Sequence, residues 1–142
     1  MMKQLSYLIA LLAMAAPGSA YASCTATGGF TQLTGTQITN LLVGSLACYP
    51  AVGPYQNQEA LAGGNITDYK QGPSDTVDPT KIIGTYSVVN SPVDTITYSY
   101  SGGPSYTYTV WGTAVAGSGS YDFCVGTTPI TVRVASGSAG PC

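Results

Sequence analysis

The sequence predicts a mainly β protein, an antiparallel meander of about eight strands closing into a small barrel, with one short N-terminal helix. Three observations predict it. From Ser45 onward, short runs rich in Val, Ile, Thr and Tyr alternate with joints bearing Gly and Pro. When neighbouring runs are folded onto one another, each joint gives the same division into an apolar-aromatic face and a polar face. A meander of sequential neighbours leaves exposed edges unless it closes on itself.

The first residues of the 142-residue chain read as a leader. Lys3 gives a positive start, residues 5–16 are an apolar run, and Ala20-Tyr21-Ala22 supplies a small-residue cleavage site. The run is shorter than the roughly 20 residues that span a bilayer. Residues 1–22 are therefore expected to be a signal peptide, and 23–142 a single disulfide-stapled β domain, secreted or periplasmic. Cys24 raises lipidation as an alternative, but Tyr21 stands where a leucine-like residue would be expected.

The helix is signalled by Thr34 and Gln37, which fit a capping box, followed by Ile38, Leu41 and Leu42 at helical spacing and a stop at Gly44. Strands are predicted at 45–49, 57–62, 65–70, 82–89, 94–101, 105–112, 120–125 and 129–135. Gly63-Gly64 forms a two-residue hairpin turn between the second and third.

Three joints permit registers. Across 90–94, Val88 faces Ile96, Tyr86 faces Tyr98 and Gly84 faces Tyr100. Across 101–105, Tyr100 faces Tyr106, Tyr98 faces Tyr108 and Ile96 faces Val110. In the last hairpin Val125 meets Ile130, Phe123 meets Val132 and Tyr121 meets Val134, while Asp122 and Arg133 pair on the other face. Tyr86, Tyr98, Tyr100, Tyr106 and Tyr108 then line the interior. Thr97–Thr109, Ser99–Thr107 and Thr95–Trp111 form the outer skin. Buried tyrosine hydroxyls require partners, so this interior is expected to be partly wet or to open into a pocket. These five tyrosines and Trp111 are the candidate ligand-binding residues. Trp111 is either a sugar platform or packs beneath the helix.

Cys24, Cys48, Cys124 and Cys142 make an even set, which in an exported protein favours two disulfides. Of three available pairings, Cys48–Cys124 with Cys24–Cys142 is the preferred one. Lys70, Lys81 and Arg133 are the cations left after the leader, too few to neutralise many phosphates, so nucleic acid is not an expected partner. Charge gathers around 68–81, where Asp75 and Asp78 could ligate calcium but lack an EF-hand spacing; a solvated crossover is the plainer reading. Asn65-Ile66-Thr67 fits a glycosylation acceptor. The chain has no histidine, and its thiols are expected to be oxidised, so catalysis is disfavoured and neither cofactor nor metal is expected.

Gly84-Thr85-Tyr86 within a strand-rich meander resembles the Gly-x-Trp strand of calycin-type small barrels, with tyrosine replacing tryptophan and a mid-chain position. The series LLVGSLACYP, QEALAGG, DYKQGPSDTVDP, IGTYSV, YTYTV and YDFC is similar to a family of uncharacterised small secreted proteins of Gram-negative bacteria. That resemblance implies export and brings no established activity. The expected function is a secreted, non-catalytic binding module for a small apolar or aromatic ligand or a protein partner. The alternatives are a self-associating subunit of an extracellular filament or adhesive matrix, and a protease inhibitor presenting residues 71–79.

Overall fold

A short helix lies near the start of the described chain, its first turn held by side chains. In a computed structural model, which describes residues 24–26, 29–53, 55, 57–70, 81–113, 119–137 and 142, α1 spans Gly35–Leu42. The leader expected at 1–22 and the 71–79 segment, with Asp75 and Asp78, lie outside the described residues. The Thr34 hydroxyl accepts the Gln37 N–H at 3.3 Å, and Gln37 Oε1 accepts the Thr34 N–H at 2.8 Å. Asp94 Oδ1 takes the Gly35 N–H at 2.8 Å, so a further donor of the first turn is satisfied from another part of the chain. Ile38, Leu41 and Leu42 are buried on one face. The chain leaves the helix at Gly44, whose φ of +79° a residue with a side chain seldom adopts.

The strands are β1 (Thr31–Gln32), β2 (Ser45–Tyr49), β3 (Asn57–Ala62), β4 (Asn65–Lys70), β5 (Lys81–Val89), β6 (Thr95–Tyr100), β7 (Ser105–Gly112), β8 (Gly119–Val125) and β9 (Thr128–Ser136). From β2 to β9 each strand pairs antiparallel with the next, and β9 returns to β2, which closes an eight-stranded barrel. The predicted strands match these with end differences of one residue. β1 was not anticipated. It pairs Thr31 with Gly112 and Gln32 with Trp111, where the β6–β7 ladder has already ended at Ile96–Tyr108. A side chain on either β1 residue gives no alternation to read, because two residues cannot display a period.

Hairpin registers follow their turns. The β5–β6 pairs Val88–Ile96, Tyr86–Tyr98 and Gly84–Tyr100 are as expected. In β6–β7 the observed pairs are Ile96–Tyr108 and Tyr98–Tyr106, two residues away from the expectation. Gly102 (φ +72°) allows a tighter turn, in which the Tyr100 N–H reaches the Pro104 carbonyl. The same correction applies to β8–β9. Val125 pairs with Thr128, so Gly126 (φ +60°) and Thr127 alone make the turn, Phe123 meets Ile130, and Tyr121 meets Val132. A shift of two keeps every side chain on its face, so the two-faced pattern survives both corrections.

Individual partners do change. Asp122 stands opposite Thr131, which donates its hydroxyl at 3.0 Å, and does not pair with Arg133. Arg133 donates Nη1 to the Tyr55 hydroxyl at 2.7 Å. On the outer face Thr97 and Thr107 hydroxyls lie 2.8 Å apart, and Ser105 donates to Ser99 at 3.1 Å.

The disulfides join Cys24 to Cys124 and Cys48 to Cys142, with Cα separations of 5.8 and 6.3 Å. This corrects the expected pairing, and the barrel explains why. Cys48 lies on β2 and Cys124 on β8, with β9 between them, where Arg133 and Pro129 are their respective partners. Two strand spacings put about 10 Å between them before the offset along the strand is counted. That exceeds the roughly 7 Å that a disulfide can bridge. Each cysteine is instead tied to a residue near one end of the described chain. Two disulfides belong to an oxidising environment, extracellular or periplasmic. Among the described residues no helix is long and apolar enough to cross a membrane.

Inside, the helix residues Ile38, Leu41 and Leu42 pack with Leu33, Leu61, Ile66, Ile96 and Val110 at one end of the barrel. Moving along the strands away from the helix, Ile96 gives way to Tyr98 and Tyr100 on β6, and Leu61 to Glu59 and Asn57 on β3. The aliphatic plug thus passes into an aromatic and polar half.

Candidate functional site: a tyrosine-walled cavity

A cavity of about 340 Å³ occupies the half of the barrel away from the helix. Its aromatic wall is Tyr98 and Tyr100 on β6, Tyr108 on β7 and Phe123 on β8. Ile130, Val132 and Ala47 add aliphatic surface, and Tyr49, Asn57 and Glu59 bring polar groups. These side chains meet because alternate residues of each strand face inward, so a stretch such as Tyr98-Ser99-Tyr100 sends both rings to the interior.

The rings pack on one another rather than standing singly. Tyr98 meets Tyr108 edge-on with centroids 6.0 Å apart, and Phe123 lies 5.7 Å from Tyr108 and 6.3 Å from Tyr98. Such contacts stabilise by about 0.5–1.5 kcal/mol each beyond the area they bury and hold the wall's shape. Tyr106 stacks on Tyr108 at 6.3 Å and is 43% exposed, which makes it a rim residue.

Of the six candidate residues, Tyr98, Tyr100 and Tyr108 therefore line the cavity, and Tyr106 supports it from the rim. Tyr86 packs half-buried against the core but is not among the lining residues. Trp111 sits on the outer face, half-buried, where Nε1 donates to the Thr109 hydroxyl at 3.1 Å. It pairs laterally with Gln32 and Asp122 and does not pack beneath α1, whose apolar residues point into the barrel.

Glu59 was missed as a site residue. The signal was present: Glu59 shares its parity with Leu61, and the Gly63-Gly64 turn sets Glu59 opposite Asp68. Asp68 is 2% exposed, so the hairpin brings two acidic side chains together inside the barrel. Tyr100 Oη stands 3.1 and 3.0 Å from the two Glu59 carboxylate oxygens and shares its proton between them. Burial pushes the Glu59 pKa up to about 7; the Tyr100 hydrogen bond opposes that rise and the Asp68 charge adds to it. Near neutral pH the carboxyl group is thus poised between its two forms.

Tyr98 is 3% exposed, and its hydroxyl has no hydrogen-bond partner. Burial raises its pKa well above the ordinary tyrosine value, with the Glu59 charge next in importance. Burial likewise raises those of Tyr100 and Tyr108. All three phenols are therefore neutral across physiological pH. Among the described lining residues there is no lysine or arginine. The described residues contain no cluster of three His, Cys, Asp or Glu side chains able to hold a metal ion.

Chemically, the site offers flat ring surface, an aliphatic floor, one titrating carboxyl group and one unpaired buried hydroxyl. Comparison of the chain with family models, with curated proteins and with solved structures returned no match.

Proposed function

We propose that the protein is an exported, non-catalytic binding module whose barrel cavity holds a small apolar or aromatic ligand. The observation that carries this reading is the cavity itself, whose volume lies within the ~300–1,000 Å³ range typical of small-molecule sites. Its composition fits as well, since ligand sites are mostly apolar and aromatic with a few convergent polar groups. A dry core would not gather four tyrosine rings around a glutamate and leave the Tyr98 hydroxyl unpaired, because an unpaired buried hydroxyl costs about 1–3 kcal/mol.

Self-association through sheet edges gains less support. Strands β2 to β9 each have neighbours on both sides, and closure of that ring removes the edges on which strand addition depends. The inhibitor reading rests on residues 71–79, outside the described set.

A panel of small aromatic compounds, titrated by calorimetry against the mature protein and an Ala47→Phe variant, tests the proposal. Ala47 lines the cavity, and a phenyl ring there intrudes on the space a ligand would take. Binding to the wild type that disappears in a folded Ala47→Phe variant is the expected result. Binding of equal strength in both proteins would place the ligand elsewhere.

A further inference from the structure

Ionic character divides the small aromatic ligands into anions, neutral molecules and cations, and the cavity is unequal toward the three. We infer that it selects a small organic cation, an amine or ammonium group on an aromatic or aliphatic body, seated between the Glu59 carboxylate and the tyrosine rings. This inference rests on the binding-module reading and names the ligand class.

Several independent features support it. Glu59 is the one carboxylic acid among the described lining residues, and Asp68 stands opposite it on β4. An anionic ligand would meet the Glu59 carboxylate with no lysine or arginine among the described lining residues to offset it. Tyr98, Tyr100 and Tyr108 line the same space, and an aromatic ring face attracts a cation by roughly 0.5–2 kcal/mol. The Tyr98 hydroxyl, almost fully buried and unpartnered, supplies an acceptor oxygen that an ammonium N–H can satisfy. Tyr100 cannot fill that role, since its hydroxyl already serves Glu59.

The groups facing Glu59 are few. Asp68 faces it from β4, Tyr49 joins it in the lining from β2, Tyr98 and Tyr100 from β6, and Tyr108 from β7. By register the nearest cation is Lys70, the β4 partner of Gln58; Lys81, the partner of Asp68, lies one strand further away on β5 with its side chain exposed. Arg133 is engaged with Tyr55, beside the outer apolar cluster of Leu46, Cys48 and Ala60. Attraction of a cation therefore grows as Glu59 ionises, on the alkaline side of its titration.

Three probes of nearly equal shape separate the charge classes: 2-phenylethylamine, 2-phenylethanol and 3-phenylpropanoate. Titrated into the mature wild-type protein at pH 8, the amine should bind at least tenfold more tightly than the alcohol, and the carboxylate should not bind. Between pH 8 and pH 6 the ionised fraction of Glu59 falls to about a tenth, so amine affinity should drop about tenfold while alcohol affinity stays level. Glu59→Gln should abolish both the amine preference and the pH dependence and keep alcohol binding. Tyr100→Phe removes the hydrogen bond that lowers the Glu59 pKa, so the midpoint of the pH dependence should move upward; this second variant carries the test should Glu59→Gln fail to fold. Equal affinity for amine and alcohol, or a Tyr100→Phe midpoint that does not move, would overturn the cation inference and leave the binding reading standing. Failure of all three probes and of the wider aromatic panel would overturn both.

Discussion

Gly84 shows how one missing side chain can hold a sheet together. A Cβ at this position would collide with the Ser99 carbonyl oxygen and lie 3.0 Å from the Tyr100 Cα, both backbone atoms that cannot swing aside. Gly84→Ala should therefore destabilise by about 1–3 kcal/mol in urea unfolding, the usual cost of overpacking, and an unchanged midpoint would contradict the close approach. Tyr98 predicts the reverse. Removing an unpartnered buried hydroxyl discards a desolvation cost, so Tyr98→Phe should be neutral or stabilising by up to about 1 kcal/mol. A clear loss of stability would mean that the hydroxyl has a partner. Glu59 adds a pH dependence. Its carboxyl group keeps its proton in the fold up to about pH 7, whereas the unfolded chain releases it near the ordinary value of 4.5. The stability this contributes is fully present below pH 4.5 and is lost as pH rises through 7, a span of about 3 kcal/mol. Glu59→Gln should match the wild type near pH 4 and exceed its stability at pH 8, measured by denaturant unfolding at both. Wild-type stability that did not fall over that interval would refute the raised value.

Helix α1 and the hairpins are set by short-range chemistry, which is why most of them could be read in advance. The Thr34–Gln37 box satisfies backbone groups that a helix start leaves open, and it is built from neighbours three apart. Thr34→Ala should cost about 1 kcal/mol. Because Ile38, Leu41 and Leu42 plug one end of the barrel, that loss should appear in the single global unfolding transition; a helix melting separately would show that the plug is not coupled to the strands. Alternation alone assigned the inner and outer residues of β5 to β9. It could not distinguish registers that differ by two, since both put the same residues inside. Turn geometry at Gly102 and Gly126 made that choice, and a glycine beside another glycine or a threonine admits turns of more than one length. The Glu59–Asp68 pairing was available from the Gly63-Gly64 turn, yet a lone glutamate in a polar run carries no alternation strong enough to mark it as interior.

Closure of the barrel determines which cysteines can meet. The two disulfides interleave, spanning sequence separations of 100 and 94 residues. By chain-entropy reckoning a loop near 100 residues stabilises by about 4.7 kcal/mol when closed. Non-reducing peptide mapping of the mature protein should recover Cys24 with Cys124 and Cys48 with Cys142; a peptide joining Cys48 to Cys124 would be incompatible with β9 lying between them. Loss of the Cys48–Cys142 bridge in a paired serine variant should lower stability by several kcal/mol and loosen Cys142 from Gln58, whose side chain accepts its N–H at 3.3 Å. The outer cluster of Leu46, Cys48 and Ala60 would then lose part of its cover.

Local rules, period-two alternation and capping and turn residues, were enough to foresee an eight-stranded meander with one capped helix and its rings turned inward, because each depends on residues only a few positions apart. Long-range facts needed the closed ring. The disulfide pairing, the short β1 strand beside β7 and the meeting of Glu59 with Tyr100 all join segments that alternation leaves unrelated. Distance across a barrel is a property of its curvature and strand order, and no local pattern in the chain records it.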